Sequence, residues 1–216
     1  MIRRTTLLAA ALLGLGLVAC GVDFGPVAGV QGSGNVKSES RDVHGFDRVE
    51  LAGIGTLTIT QGSTEALTIR AEDNLLPRIG SIVQGSTLTL APVSGANLRP
   101  TKPILYDLTV RQLRAIDVSG AGDATAAGLT SDQLDLSVSG SGRLATSGIA
   151  PSTLTVHLSG SGTVTASGRA VRQTVLISGL GVLYGCFAAW RRNLRANMIA
   201  HAWTDIWNGW LAFVVR

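Results

Sequence analysis

Three consecutive blocks of twenty residues constrain this chain more than anything else in it. VSGAGDATAAGLTSDQLDLS (118–137) is followed by VSGSGRLATSGIAPSTLTVH (138–157) and LSGSGTVTASGRAVRQTVLI (158–177). Stacked in register, Val118, Val138 and Leu158 align, as do Ala124, Leu144 and Val164. Leu134 aligns with Leu154, and Leu136 with Val156 and Leu176. Glycine columns run through 120/140/160, 122/142/162 and 128/148/168. Agreement in every column is what a stack of coils requires, because like residues meet in ladders when successive coils lie about 4.8 Å apart. Glycines at fixed places suit corners that turn with φ > 0. The alternative is a sandwich in which each SGSG is a hairpin turn. A hairpin, however, imposes no column identity from one repeat to the next. The repeat predicts a parallel β-helix.

The segments before the repeat carry the same signal without the period. VELAGIGTLTITQG, ALTIRA, STLTLAP and LYDLTV (49–62, 66–71, 86–92 and 105–110) place apolar residues at alternate positions and end near Gly, Pro or Asn. That is the pattern of strands with one buried face. No convincing amphipathic helix occurs before residue 174. Residues 21–44, rich in Gly, Ser and Asp, form a linker and entry segment. Ahead of them, Arg3-Arg4 and the apolar run Leu7–Val18 form a targeting segment too short to span as an ordinary helix. It ends in Leu17-Val18-Ala19-Cys20-Gly21, which resembles the lipobox of bacterial lipoproteins and makes Cys20 the expected lipid-attachment residue. An ordinary signal peptide with a chance cysteine is the alternative. Cys186 is then the only other cysteine, so no internal disulfide is expected. The net charge of +4, with most basic residues scattered, carries no nucleic-acid signal.

Catalytic chemistry has little to work with in the β part. Its histidines are His44 and His157, and His157 sits where other repeats carry Ser137 and Ile177, which suits a coil-surface residue. Asp117, Asp123, Asp132 and Asp135 fall in one coil and do not recur in the next two, whereas a calcium-binding β-roll repeats its Asp in each coil. No Ser lies in a nucleophile elbow.

The chain changes character at its end. A fourth repeat should open with an apolar residue at 178, yet Ser178-Gly179 arrives one residue early. A one-residue slip turns every later side chain to the other face. Residues 174–190 are free of charge, and residues 196–215 hold a second apolar run; both have lengths near those of a membrane span. On a helix, Asn197, His201, Asp205 and Asn208 would share one polar stripe.

Two resemblances follow from these residues. The VSGSG corners, the twenty-residue coil and HGFDRVELAGIGTLTITQG (44–62) resemble the "head GIN" domain of auto-transporter adhesins over roughly 41–178. This implies a right-handed β-helix outside the cytoplasm, in secreted or lipid-anchored bacterial proteins. GLGVLYGCFAAWRRNLRANMIAHAWTD (179–205) resembles the C-terminal end of the CPBP intramembrane metalloproteases, the family of the CAAX prenyl endopeptidases. That resemblance implies a metal-ligating or water-activating His201 with Asp205 as its companion. The family's Glu-Glu-x-x-x-Arg and Phe-x-x-x-His motifs are missing, and the chain has no adjacent glutamates. Two donors on one helix turn do not make a hydrolytic metal site, which needs about three protein ligands.

The expectation is therefore an all-β chain: a parallel β-helix with coils of about twenty residues, followed by one or two short hydrophobic helices. Its divisions are a lipoprotein signal peptide (1–20), a linker (21–44), a β-helix (45–178) and a hydrophobic tail (179–216). It is expected to be a non-enzymatic, adhesin-like binding or structural protein of the bacterial cell envelope, with no catalytic residue, cofactor or metal. The alternative is a fusion or an inactive remnant of the protease family. Expected partners are the membrane, through the lipid and the tail, and a surface carbohydrate or protein, not nucleic acid. The helix stack is also expected to end without a proper cap after residue 178.

Overall fold

The computed structural model describes residues 29–94, 96–178, 182–187 and 211–215, the last two stretches as backbone only. Before the repeat come β1 (Val30–Gln31), β2 (Val36–Arg41), β3 (Arg48–Leu51), β4 (Thr56–Gln61), β5 (Ala66–Glu72), β6 (Ile79–Gln84), β7 (Thr87–Pro92), β8 (Leu98–Arg99) and β9 (Leu105–Val110). The repeat supplies β10 (Ala115–Val118), β11 (Asp123–Ala127), β12 (Gln133–Val138), β13 (Arg143–Ile149), β14 (Thr153–Leu158), β15 (Thr163–Gly168) and β16 (Arg172–Ile177). The tail adds β17 (Val182–Phe187) and β18 (Leu211–Val215). The alternating residues become alternating burial: β12 and β14 bury every second side chain and leave the others at the surface.

Each coil gives one strand to each of two eight-stranded sheets. Sheet I has the order β18-β16-β14-β12-β10-β3-β7-β6, and sheet II the order β17-β15-β13-β11-β4-β9-β5-β2. Neighbours from β10 to β16 and from β11 to β17 are parallel, and Leu134 lies beside Leu154 as the columns require. This is the pairing of a β-solenoid rather than of stacked hairpins, which would be antiparallel. Buried side chains from both sheets meet in a single core, with Leu51, Ile116, Leu136 and Val156 from one side and Leu57, Ala124, Leu144 and Val164 from the other.

The first half is wound differently. β3 pairs with β7 on one side and β10 on the other, and β4 pairs likewise with β9 and β11. The β3–β4 coil is therefore inserted between the coil of β7 and β9 and the first repeat. Beyond that coil the winding gives way to antiparallel strands: β6 on β7, β5 on β9 and β2 on β5. They close the N-terminal end.

Two of the three glycine columns exist for a reason other than the one expected. Positive φ occurs at Gly128 and Gly148 (65° and 62°), but not in the columns 120/140/160 and 122/142/162. There the corners stack so closely that a Cβ on Gly140 would overlap the carbonyl oxygen of Gly120, and one on Gly142 that of Gly122. The same overlap recurs one coil later, for Gly160 on Gly140 and Gly162 on Gly142. Close approach of backbones excludes the side chain.

The slip is also absorbed rather than propagated. Sheet II keeps the twenty-residue offset through Thr146↔Ala166, then moves to nineteen with Ile149↔Gly168. From there β16 follows β14 at nineteen residues (Val156↔Val175, His157↔Leu176) and β17 follows β15 in the same way (Thr163↔Val182). The column Leu136/Val156 therefore continues to Val175, and Leu176 turns outward beside His157. Ser178 donates its N–H to Leu158 O at 2.9 Å, repeating the corner bond of Ser159 to Val138 O at 3.0 Å. The residue is lost opposite Ser147-Gly148, where the ladder of β13 with β15 is locally irregular, and regular pairing resumes at Ile149↔Gly168.

The apolar run 174–190 is thus not a helical span. Residues 174–177 finish β16 and 182–187 form β17, the strand of a fourth coil. β18 lies antiparallel on β16, so the C-terminal end of sheet I finishes on a strand of opposite direction. No helix among the described residues is long and apolar enough to cross a membrane.

Candidate functional site

A shallow groove of about 480 Å³ crosses the outer face of sheet I, lined among others by Arg48, Glu50, Asp117, Asp135 and His157. Its floor is the middle part of two side-chain rows set by the ladder register, from Glu50 to His157 in one and from Thr87 to Thr155 in the other. One runs Thr89, Glu50, Asp117, Ser137, His157 and Leu176; the other runs Thr87, Arg48, Ala115, Asp135, Thr155 and Thr174. Parallel strands in register place such side chains about 4.8 Å apart. Glu50 and Asp117, 67 positions apart in sequence, become direct neighbours because the β3–β4 coil is inserted beside the first repeat.

Glu50 is held from two sides, by the Ser119 hydroxyl at 2.7 Å and the Thr89 hydroxyl at 3.3 Å. Asp135 accepts from the Gln133 amide at 3.0 Å. Asp117 is different. Partial burial raises its pKa, and the adjacent Glu50 carboxylate raises it further, against a hydrogen bond from Ser137. Its Oδ1 is buried without a hydrogen-bond partner. Like charges on neighbouring strands repel, so each of the two carboxylates disfavours the charged form of the other.

Other polar sites serve the fold. The Glu72 side chain is fully buried and accepts from Gly34 N–H (2.6 Å), Thr101 N–H (2.8 Å), the Thr101 hydroxyl (2.5 Å) and Lys102 N–H (3.3 Å). Burial alone would raise its pKa; the four donors bring it below the ordinary value. This clamp ties the entry segment to the loop before β9. The Glu65 side chain, only 5% exposed, accepts from Gly45 N–H at 2.9 Å and pairs with Arg111 at 3.3 Å, beside a depression of about 550 Å³ lined by Phe46, Asp47 and Ser86.

The residues weighed from sequence scatter. His157 is an exposed outer-face residue of the coil surface. His44 is exposed and paired with Asp42. Of the four aspartates, Asp117 and Asp135 enter the groove, while Asp123 lies on sheet II, 3.5 Å from Arg143. Among the described residues no three His, Cys, Asp or Glu side chains are grouped to hold a metal. Cys20, His201 and Asp205 lie outside the described residues. Glu50 was not singled out in the sequence, since its importance arises only from a neighbour far along the chain.

A two-sheet solenoid with polar rows on its outer face defines a class of repetitive β scaffold, in which backbone and core repeat and the outward side chains vary. Residues 45–186 match the family described as "Putative auto-transporter adhesin, head GIN domain", and the chain belongs to that family. The match takes in 179–186, the start of the stretch that resembles the protease end. Among solved structures, a "putative adhesin" of Bacteroides fragilis shares 26% identity at a TM-score of 0.63, over 67% of this chain and 68% of that one. A "putative lipid binding protein" of Parabacteroides distasonis is 17% identical with a TM-score of 0.57, over 68% and 72% of the two chains. A "putative adhesin" of Parabacteroides merdae is 17% identical with a TM-score of 0.52, over 74% and 80%. Those two support the fold alone. No curated protein matches the chain.

Proposed function

We propose that this chain is a non-enzymatic, adhesin-like binding module of the bacterial cell envelope, anchored by a lipid on Cys20, and that the groove on sheet I takes a surface carbohydrate. The observation that carries the reading is the pair of polar rows on adjacent strands, which mix carboxylates, hydroxyls and Arg48, with the Gln133 amide beside them. Sugar hydroxyls both donate and accept, so they match fixed acceptors such as Asp117 and Asp135 beside donors such as Gln133. The adhesin description of the Bacteroides fragilis structure favours the same reading.

The test is a glycan array probed with the full chain. Asp117→Ala and Gln133→Ala should lose the captured glycans, while Thr125→Ala on the outer face of sheet II should keep them. Equal binding by all variants, or capture of proteins with no glycan bound, would refute the carbohydrate reading. The protease alternative rests on His201 and Asp205 at helical spacing; metal-dependent cleavage of a prenylated peptide that disappears in His201→Ala would favour it instead.

A further inference from the structure

The loops at 43–47, 62–65, 85–86 and 111–114 meet around the depression beside Glu65. The antiparallel register of β5 on β9, with Ala66 opposite Thr109, brings Glu65 and Arg111 together at the end of that ladder. Arg111 donates from Nε and Nη2 to the same Glu65 oxygen, both at 3.3 Å. Glu65 is held in turn by the Gly45 N–H at 2.9 Å. Only one edge of the guanidinium is used this way. The group carries five N–H donors in a fixed fork, so Nη1 and the second hydrogen of Nη2 form a free outer edge, on a side chain that is 61% exposed.

The unmet capacity of the rim is donor capacity. The exposed side chains of Ser63, Ser86 and Gln112 line the depression and hydrogen-bond to nothing among the described residues. Its carboxylates are already served: Glu65 by Arg111, and Asp47 by Arg114 at 3.5 Å, while the unpartnered Asp47 Oδ1 is buried below the surface. The depression also runs into the groove. Asp47 and Ser86 line the one, and the residues that follow them, Arg48 and Thr87, line the other. The Asp47 and Arg48 N–H groups both donate to Ser86 O at 3.0 Å, which fixes this junction. Arg48 is exposed and forms no ion pair among the described residues.

We infer that the depression is an anion subsite continuing the groove, in which the outer edge of Arg111 binds the carboxylate of a uronic-acid residue. Arginine takes a carboxylate through two parallel N–H···O bonds. Glu65 has already fixed the orientation of the guanidinium, so less freedom is lost on binding. Ser63 and Gln112 donate to the carboxylate or to the ring hydroxyls beside it. Charge sets the direction of the sugar chain: Glu50, Asp117 and Asp135 repel an anion from the groove floor, whereas Arg48 and Arg111 attract it to the corner. The carboxylate therefore lies at the corner, and neutral sugar hydroxyls lie over the rows. That the carboxylate belongs to a glycan rests on the carbohydrate reading of the groove; the subsite itself rests on Arg111 and its neighbours.

The probe is sodium glucuronate, titrated at low ionic strength into the full isotope-labelled chain in detergent and followed by NMR, with glucose as the uncharged control. Glucuronate should saturably move the Arg111 Nε–H and the backbone amides of Gly45, Ser63 and Gln112, and glucose should not. Arg111→Lys keeps a cation beside Glu65 but lacks the fork. It should bind glucuronate at least roughly threefold more weakly, as should Gln112→Ala, which removes one hydrogen bond. The Gln112 side chain holds no hydrogen bond of the fold, so a loss there is not a loss of folding. Absence of saturable shifts, equal shifts with glucose, shifts confined to the groove amides of Ala115 and Asp135, or undiminished binding by either variant would overturn the inference. The glycan array decides the groove reading separately, because corner shifts with glucuronate should persist in Asp117→Ala whether or not any glycan is captured.

Discussion

Replacing Gly142 with alanine separates the two roles that glycine plays in this solenoid. A Cβ there would overlap Gly122 O and lie 2.8 Å from Val118 Cγ1. The overlapped atom is backbone in a neighbouring coil, locked by its own ladder, so it cannot swing aside as a side-chain end would. Overpacking in such a place costs about 1–3 kcal/mol, and a rigid backbone neighbour puts this substitution near about 3 kcal/mol. The usual effect of Gly→Ala at a compatible site is stabilisation by about 0.4–1 kcal/mol, so the sign itself is informative. For a chain of this size, about 3 kcal/mol corresponds to a fall in Tm of roughly 6–12 °C. Gly148 is the contrast: φ is 62° and the nearest atoms to its Cβ are 3.8 Å away. Alanine there should cost only the left-handed penalty of about 1–2 kcal/mol. Asparagine, which tolerates that conformation, should recover much of it. The assay is urea and thermal unfolding of Gly142→Ala, Gly142→Asn, Gly148→Ala and Gly148→Asn. If Gly142→Ala proved no worse than Gly148→Ala, or if asparagine rescued position 142, close coil stacking would not be the reason for that column.

Further outcomes follow from single side chains. Thr146 is 3% exposed with its hydroxyl unbonded, so Thr146→Val, of the same shape, should stabilise by about 1 kcal/mol, seen as a higher urea midpoint. The pKa of Glu72 is lowered on folding, so its contribution is present above the ordinary value near 4.5 and is lost as pH falls through the lower folded value. Glu72→Gln should reduce stability at pH 7 and flatten the acid limb of the unfolding curve. Asp117 has the opposite sign: its raised pKa means stability is lost as pH rises through the folded value. Asp117→Asn should therefore raise Tm at neutral pH, with a gain that disappears in acid. Metabolic labelling with a palmitate analogue should tag the wild type and not Cys20→Ser.

The solenoid was legible because its constraint repeats. Val118, Val138 and Leu158, or Ala124, Leu144 and Val164, can agree in type only if something stacks them, and the ladder does so. What the repeat could not reveal was where the missing residue would be taken. Counting from one SGxG corner to the next placed the slip after Ile177 and put Leu176 inside. The fold removes it opposite Gly148, at an irregularity in the β13–β15 ladder, and puts Val175 inside instead. The apolarity of 174–190 pointed to a span because a strand of the last coil and a short membrane helix have similar composition. The groove was half visible: Asp117 and Asp135 stood out as acidic residues of one coil, but Glu50 joins them through a coil inserted out of chain order. Nothing local to residues 48–62 signals that insertion.

The fourth coil and the pairing of residues 182–187 with β15 both depend on coils stacked at nineteen residues after Gly148. Cysteine cross-linking tests that register directly, in a chain whose Cys20 and Cys186 are replaced by serine. His157→Cys with Leu176→Cys places the two sulfurs on neighbouring strands of the same outer face, within the Cα separation a disulfide accepts. His157→Cys with Ile177→Cys follows the uninterrupted twenty-residue count but points one side chain outward and the other toward the core. The account predicts rapid oxidation of the first pair and little of the second. Preferential cross-linking of the second pair, or of neither, would contradict it.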